Sequence, residues 1–238
     1  MKYERNYFTF AGVCSKDYGV YTNGGKTFNS PERKIDQQTI PGRNGDLLIE
    51  SGRLTNLSHT YEAFIFENFR VNLSEFQNHL LSQIGYQRLE DTYHPDEFYL
   101  AVYNSGMEVA TSGDLHVGTF TVTFNRKPQR FLKSGEQVHT FLSSGNLFNP
   151  TKQVAKPLIR VYGTGSLTIA GEVIEITSNP GYIDLDSEIE DAHMGATNCN
   201  GLIRLASDDF PLFQPGRNSI GCGSGISKVE ITPRWWRA

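Results

Sequence analysis

The sequence is poor in the residues that staple small folds, with three cysteines and two tryptophans in 238 residues. Cys14, Cys199 and Cys222 form no C-x-x-C pair, and an odd number of thiols cannot all pair, which excludes a disulfide scaffold and fits a reducing compartment. Long apolar runs are missing too. No stretch approaches the ~20 residues that a membrane helix needs, and Met1-Lys2-Tyr3-Glu4-Arg5-Asn6 lacks the apolar segment of a secretory signal, so synthesis in a cytoplasm with no membrane partner is expected. A basic surplus is likewise absent: 26 acidic and 22 basic residues give a net charge of −4, the wrong balance for a phosphate-backbone binder, and no specific nucleic-acid binding is expected.

Signatures of catalysis and cofactor binding are also lacking. Pro41, Gly42, Arg43, Asn44 and Gly45 crowd the stretch QTIPGRNGDLL between two apolar runs, yet Asp46 and Leu47 stand where a P-loop needs lysine and a hydroxyl. The two glycines also miss the dinucleotide-binding spacing, which leaves a turn, with Pro41 fixing one φ and Asn44-Gly45 supplying positive φ. GCGSG (Gly221 to Gly225) has cysteine where a nucleophile elbow needs serine, and reads as a hairpin turn. The histidines at 59, 79, 94, 116, 139 and 193 show no H-x-H or H-x-x-x-H spacing. Neither a metal nor a cofactor is expected.

What is present is period-2 alternation. In GTFTVTF, Phe120, Val122 and Phe124 share one face and Thr119, Thr121 and Thr123 the other, the pattern of a strand with one wet side. Similar runs occur at NYFTFAG, LLIES, HTYEAFIFE, EFYLAVY, PLIRVYG, SLTIAG, EVIEI, GYIDLD and ISKVEITP, separated by Gly, Asn, Pro and Ser, so the chain reads as mainly β, built of sandwiches or barrels. One segment departs: NLSEFQNHLLSQIG spaces Leu73, Phe76, Leu80, Leu81 and Ile84 as a helix, with Asn72 as cap, Glu75 in a capping box and Gly85 at the C′ position. From about Pro128 to Pro157 the alternation dissolves into polar sequence, and the boundary between two domains, 1–135 and 136–238, is placed there.

Two features remain as candidate sites. In IDLDSEIED, strand geometry puts Asp184, Asp186 and Glu188 on one side and Ile183, Leu185 and Ile189 on the other. The pattern resembles the Glu-x-Asp-x-Glu strand of laminarinase-type glycoside hydrolases, which would make Asp184 nucleophile, Asp186 modulator and Glu188 acid/base; Asp184 departs from it by a methylene, and a solvated acidic face is the expected outcome. At the end, Trp235 and Trp236 would face opposite sides of a strand, so one fills a core and the other is left for packing against Arg234 or Arg237 or for a protein interface.

Taken in order, the motifs resemble the distal tail protein (Dit) family of long-tailed bacteriophages. The resemblance rests on Phe8-Thr9-Phe10-Ala11-Gly12, then Asp17-Tyr18-Gly19-Val20, then Ile40-Pro41-Gly42-Arg43-Asn44-Gly45-Asp46-Leu47, and on NPTKQVAKPLIRVYGTG and SGISKVEITPRWW near the end. It implies an N-terminal β-sandwich-type ring domain with one helix and a C-terminal galectin-like, jelly-roll sandwich. It also implies a structural virion protein and no enzyme, made in the host cytoplasm and incorporated at the tail tip. Six copies would form a ring joining the tail tube protein to the baseplate hub or lysin-like protein, and to a receptor-binding protein, around a channel for DNA. Pro41 to Gly45 would be a shaped loop of the ring domain, with Arg43 set for a salt bridge within or between subunits. The rival expectation is a carbohydrate-binding module for host glycans.

Overall fold

The computed structural model describes residues 5–23, 29–66, 68–111 and 117–238, and His116 lies outside them. The chain divides into two compact units, Met1–Arg130 with Ala238, and Phe131–Arg237. Both are built almost wholly of antiparallel strands.

In the first unit one sheet runs in the order Val13–Cys14, Phe8–Phe10, Gln87–Asp91, Glu97–Val102, Gly118–Arg126, Leu57–Ile65 and Val20–Thr22. Glu97–Val102 meets Gly118–Arg126 only at Asn125 and Arg126, so the sheet curls and its two halves face each other. The fill is aromatic. Phe8 stacks on Tyr61 at 4.7 Å between centroids, Phe10 lies 4.8 Å from Phe124, and Phe120, Val122 and Phe124 point inward as their alternation predicts. The opening motif is explained by this packing: Phe8 and Phe10 are 1% exposed, and between them and Val13 the chain reverses through Ala11 (φ 51°) and Gly12 (φ 82°).

The helix is there but shifted, running Phe69–Ser82. Asn72 lies within its first turns rather than at its cap; Asn68 takes that place in a left-handed conformation, without a side-chain cap bond. Gly85 is left-handed but lies beyond the end, where Gln83 is already extended. Phe76 and Leu80 are buried as predicted, whereas Leu81 and Ile84 are 69% and 89% exposed. The buried stripe is narrow because the helix seats a single ridge, Leu73, Phe76 and Leu80, on the sheet.

The second unit is a sandwich. A six-stranded sheet runs His139–Phe141, Ile226–Thr232, Leu158–Gly163, Ile183–Asp186, Asp191–Met194, Thr197–Asn198; a five-stranded sheet runs Gly145–Asn149, Gly216–Cys222, Gly165–Ile169, Glu172–Ile176, Ile203–Leu205. Ile159, Val161, Ile183, Leu185, Val229 and Ile231 from the first meet Leu167, Ile169, Ile174, Ile176 and Ile220 from the second. Strands also occupy the stretch after Pro128 that reads as patternless: Arg130–Leu132, His139–Phe141 and Gly145–Asn149. The last two lie at sheet edges, where one neighbour is missing and few apolar side chains are needed.

GCGSG is a corner, not a hairpin turn, since the strands it joins belong to different sheets. A second corner at Gly163–Gly165 runs beside it, with Thr164 N–H donating to Gly225 O at 3.1 Å and Gly223 N–H to Ser166 O at 2.9 Å. A Cβ on Gly165 would stand 2.6 Å from the Ser224 oxygen and one on Gly223 2.5 Å from that of Ser166; on Gly163 and Gly225 the clash would be closer still. Only glycine lets the two backbones cross at this distance.

Candidate assembly surfaces

The motif around Pro41 sits at the tip of an arm. Arg33–Gln38 and Leu47–Leu54 pair only with each other, as a separate two-stranded sheet. Within the tip, Thr39 Oγ1 donates to Asp46 Oδ1 at 2.9 Å and Arg43 N–H to Ile40 O at 3.2 Å, while Gly42 and Gly45 take φ of 81° and 80°. A turn is formed as the residues predict, but its positive φ falls on Gly42 and Gly45, not on Asn44 as expected. Pro41 to Gly45 are all exposed, and Arg43 makes no ion pair among the described residues, so a salt bridge within its own subunit is not formed there.

Along the arm, Leu48 and Ile49 are 53% and 52% exposed and, as neighbours in a strand, point to opposite faces. Two-stranded ribbons are marginal alone, and one with apolar side chains on both faces gains stability by being covered.

A second surface is the wet side of the curled sheet. Thr60, Glu62 and Phe64 stand opposite Thr123, Thr121 and Thr119, and Glu62 with Thr119, Thr121 and Thr123 borders an open cleft of about 610 Å³ lined also by Asn23 and Glu108. At one edge Tyr21 stacks on Phe66 at 5.7 Å, with the Arg5 guanidinium 4.4 Å from the Phe66 ring.

The tryptophans divide as expected, one inward and one outward, although only Trp236 lies in a strand, Trp236–Arg237. Trp235 is 3% exposed in the core of the second unit, 5.5 Å from Phe213, so only Trp236 is left for a surface. Trp236 is half-buried, its Nε1–H donating to Val154 O at 2.8 Å. Arg234 does not pack on either ring through its charged end, which is turned to Asp186.

The acidic strand differs from its expected form. Ile183–Asp186 is buried along its whole length, and the strand ends before Glu188, which lies exposed in a turn with Ile189. Asp184 is held by Arg160 at 2.7 and 2.8 Å and Asp186 by Arg234 at 2.6 and 2.9 Å, each a bidentate pair. Burial raises the Asp186 pKa, but the bonds from Arg234 and from the Glu188 N–H outweigh it, and the carboxyl sits below its usual value. Asp184 in turn raises the pKa of Arg160 through its hydrogen bonds. Acids locked into such pairs are not poised to attack a sugar or carry a proton. The solvated acidic face is therefore replaced by two ion pairs.

A buried polar cluster in the first unit carries no sequence signal. Asp91 accepts from Tyr61 OH at 2.8 Å and from the backbone N–H of Tyr93 and His94 at 3.0 and 2.9 Å, with His94 Nδ1 3.0 Å and His59 Nε2 3.6 Å away. Tyr61 and His59 come from one strand, Asp91 from the end of another, and Tyr93 and His94 from the turn that follows it, and alternation alone would place hydrophobes on the strand positions. Among the described residues no three His, Cys, Asp or Glu side chains gather to hold a metal, and no helix is long and apolar enough to cross a membrane.

No family model and no curated protein sequence matches the chain. Its fold, a curled β unit bearing one helix and a β-sandwich after it, is nevertheless that of phage tail hub and baseplate proteins. It is similar to the Dit (gp 19.1) protein of phage SPP1, described as a paradigm of the hub adsorption apparatus in phages that infect Gram-positive bacteria. The likeness has a TM-score of 0.71 at 16% identity and covers 99% of this chain and 100% of that one. A chain of the phage p2 baseplate, in its activated conformation with strontium, is similar at a TM-score of 0.51 and 10% identity, over 96% of this chain and 97% of that one.

Proposed function

We propose that the protein is a structural component of a phage tail tip, with residues 1–135 closing a hexameric ring and 136–238 carrying outward contacts. The observation that carries this reading is the end-to-end likeness to a hub protein: both units and the helix are matched, with almost nothing left over. The exposed arm supports it. A ring needs a head-to-tail contact, one patch meeting a different patch on the next copy. An arm with Leu48 and Ile49 on opposite faces and Arg43 at its tip supplies one half of such a contact, and the threonine-rich sheet face is a candidate for the other. The tube protein would sit on one side of the ring and the hub or receptor-binding proteins on the other. A net charge of −4 suits a channel through which DNA passes without sticking, and an assembled pore lined with lysine and arginine would contradict that part.

The test is light scattering after size exclusion. Six chains of 26.7 kDa give about 160 kDa, and Leu48→Asp with Ile49→Asp returns the protein to a folded monomer. An assembly that keeps its mass in the double variant would remove the arm from the contact, and a wild-type chain that stays monomeric even when mixed with its tube protein would remove the ring.

A further inference from the structure

The chain contains three Asn-Gly pairs, Asn23–Gly24, Asn44–Gly45 and Asn200–Gly201. Gly24 lies outside the described residues, and the other two pairs sit in opposite settings. Both of their asparagines are exposed, so access to solvent does not separate them. What separates them is how the side chain is held. Asn200 opens the short helical turn Asn200–Leu202, and its amide is gripped at both ends: Nδ2–H donates to Asp191 Oδ1 at 2.7 Å, and Oδ1 accepts from Ala192 N–H at 2.8 Å. Asn44, at the tip of the arm, is held by nothing. Among the described residues neither its side chain nor the N–H of Gly45 has a hydrogen-bond partner. A Cβ built on Gly45 would meet nothing within 4 Å, so no distant part of the chain crowds the glycine.

We infer that Asn44–Gly45 is a self-modification site, at which the arm tip converts its own asparagine to aspartate and isoaspartate. A glycine presents its backbone nitrogen with no side chain to obstruct the approach, and an unbonded asparagine amide is free to turn onto it. Hydroxide removes the Gly45 N–H proton, and the nitrogen forms a bond to Asn44 Cγ. The Cγ–Nδ2 bond breaks, and Nδ2 leaves as ammonia with a proton returned from water, which closes a cyclic imide. Water then adds to one of the two imide carbonyls. Cleavage at Cγ leaves aspartate; cleavage at the main-chain carbonyl leaves isoaspartate, whose backbone runs on through Cγ with an added methylene. Water is consumed and ammonia released, and no oxidant, metal or second protein takes part. At Asn200 the same attack would first have to break both side-chain hydrogen bonds.

The product changes the tip in two ways. Arg43 (+1) and Asp46 (−1) cancel, so a new carboxylate takes the tip from neutral to −1. Isoaspartate also lengthens the backbone of a turn that the Thr39 Oγ1 to Asp46 Oδ1 bond closes. One consequence rests on the ring reading: a chain left unassembled loses competence with age, and a chain already in a ring is shielded. The reaction itself does not depend on that reading.

The experiment incubates the full-length protein in mildly alkaline buffer, folded and in denaturant, and follows its peptides over time by mass spectrometry and by isoaspartate-specific enzymatic methylation. In the folded protein the Asn44 peptide gains about 1 Da, with isoaspartate the larger product, while Asn200 converts at least ~10-fold more slowly. Denaturant closes that gap by releasing Asn200 from Asp191 and Ala192. Asp191→Ala in the folded protein speeds conversion at Asn200 and leaves Asn44 unchanged, and Gly45→Ala slows Asn44. Should Asp191→Ala fail to fold by circular dichroism, the denaturant series carries the same comparison. Peptide mapping reads the chemistry whatever the oligomer, so a chain that never forms rings still supports the site if Asn44 converts. Two results overturn the inference: an Asn44 that stays intact in the folded protein, or an Asn200 that converts there as fast as Asn44.

Discussion

The two units reach the same class of architecture with different core chemistry. The first packs rings: Phe8, Phe10, Tyr61, Phe76, Tyr99, Phe120 and Phe124 interlock between the halves of one curled sheet. The second packs branched aliphatics between two flat-facing sheets, with Phe213 and Trp235 as its only large buried rings. Rings of fixed shape fill a curved space at few positions, so each carries a large share of the packing. A two-sheet sandwich distributes the same burial over many interchangeable side chains. The difference teaches that the first unit is sensitive at single core residues, whereas the second is sensitive where its backbones cross.

The sharpest way to break this comparison is to trim both cores. Phe124→Ala should lower the stability of the first unit by about 3–5 kcal/mol, while Ile169→Ala in the second should fall at the low end of about 2–5 kcal/mol. Chemical denaturation followed by near-ultraviolet dichroism reads both, and equal losses would remove the distinction. Next in size is Gly225→Ala, which drives a methyl into the Thr164 carbonyl at the double corner and should cost about 2–3 kcal/mol in the second unit.

The units should also fail at opposite ends of the pH scale. Burial, and then Asp91, raise the pKa of Tyr61 well above 10.0. A raised folded pKa gives stability that is fully present below 10.0 and lost as pH climbs above it, because the unfolded phenol ionises and the folded one resists. Asp186 is shifted the other way, below 3.8, so its contribution to the second unit is present above 3.8 and lost as pH falls below it. Unfolding monitored across pH should show an alkaline loss that Tyr61→Phe reduces and an acid loss that Arg234→Gln removes. The smallest effect is a gain: Ala11 sits at φ 51° in a reverse turn, and Ala11→Gly should stabilise the first unit by about 0.5–1 kcal/mol in the same denaturation assay.

Much of this was legible before any coordinates. Alternation located the strands, and the rungs Phe120, Val122 and Phe124 were placed on the correct face because a half-buried strand needs only a period of two. The turn at Pro41 to Gly45 was legible from local residue types too, although its positive φ falls on Gly42 and Gly45 and not on Asn44. What depended on distant partners was not. Asp184 and Asp186 read as a solvated face because nothing near them in sequence announces Arg160, which arrives from a neighbouring strand, and Arg234, which arrives from the segment between the last two strands. The corner role of GCGSG depends on a second glycine pair 60 residues away. The helix start was misplaced because Asn68 begins it through backbone conformation alone, without the side-chain cap that makes such starts visible.

The claim that joins the two units is the ring, and electron microscopy of the purified protein tests it most directly, alone and then with its tube protein. The account predicts particles of about 160 kDa that show six equivalent lobes around a central hole. Particles of 26.7 kDa under both conditions, or open filaments with no closed ring, would contradict it.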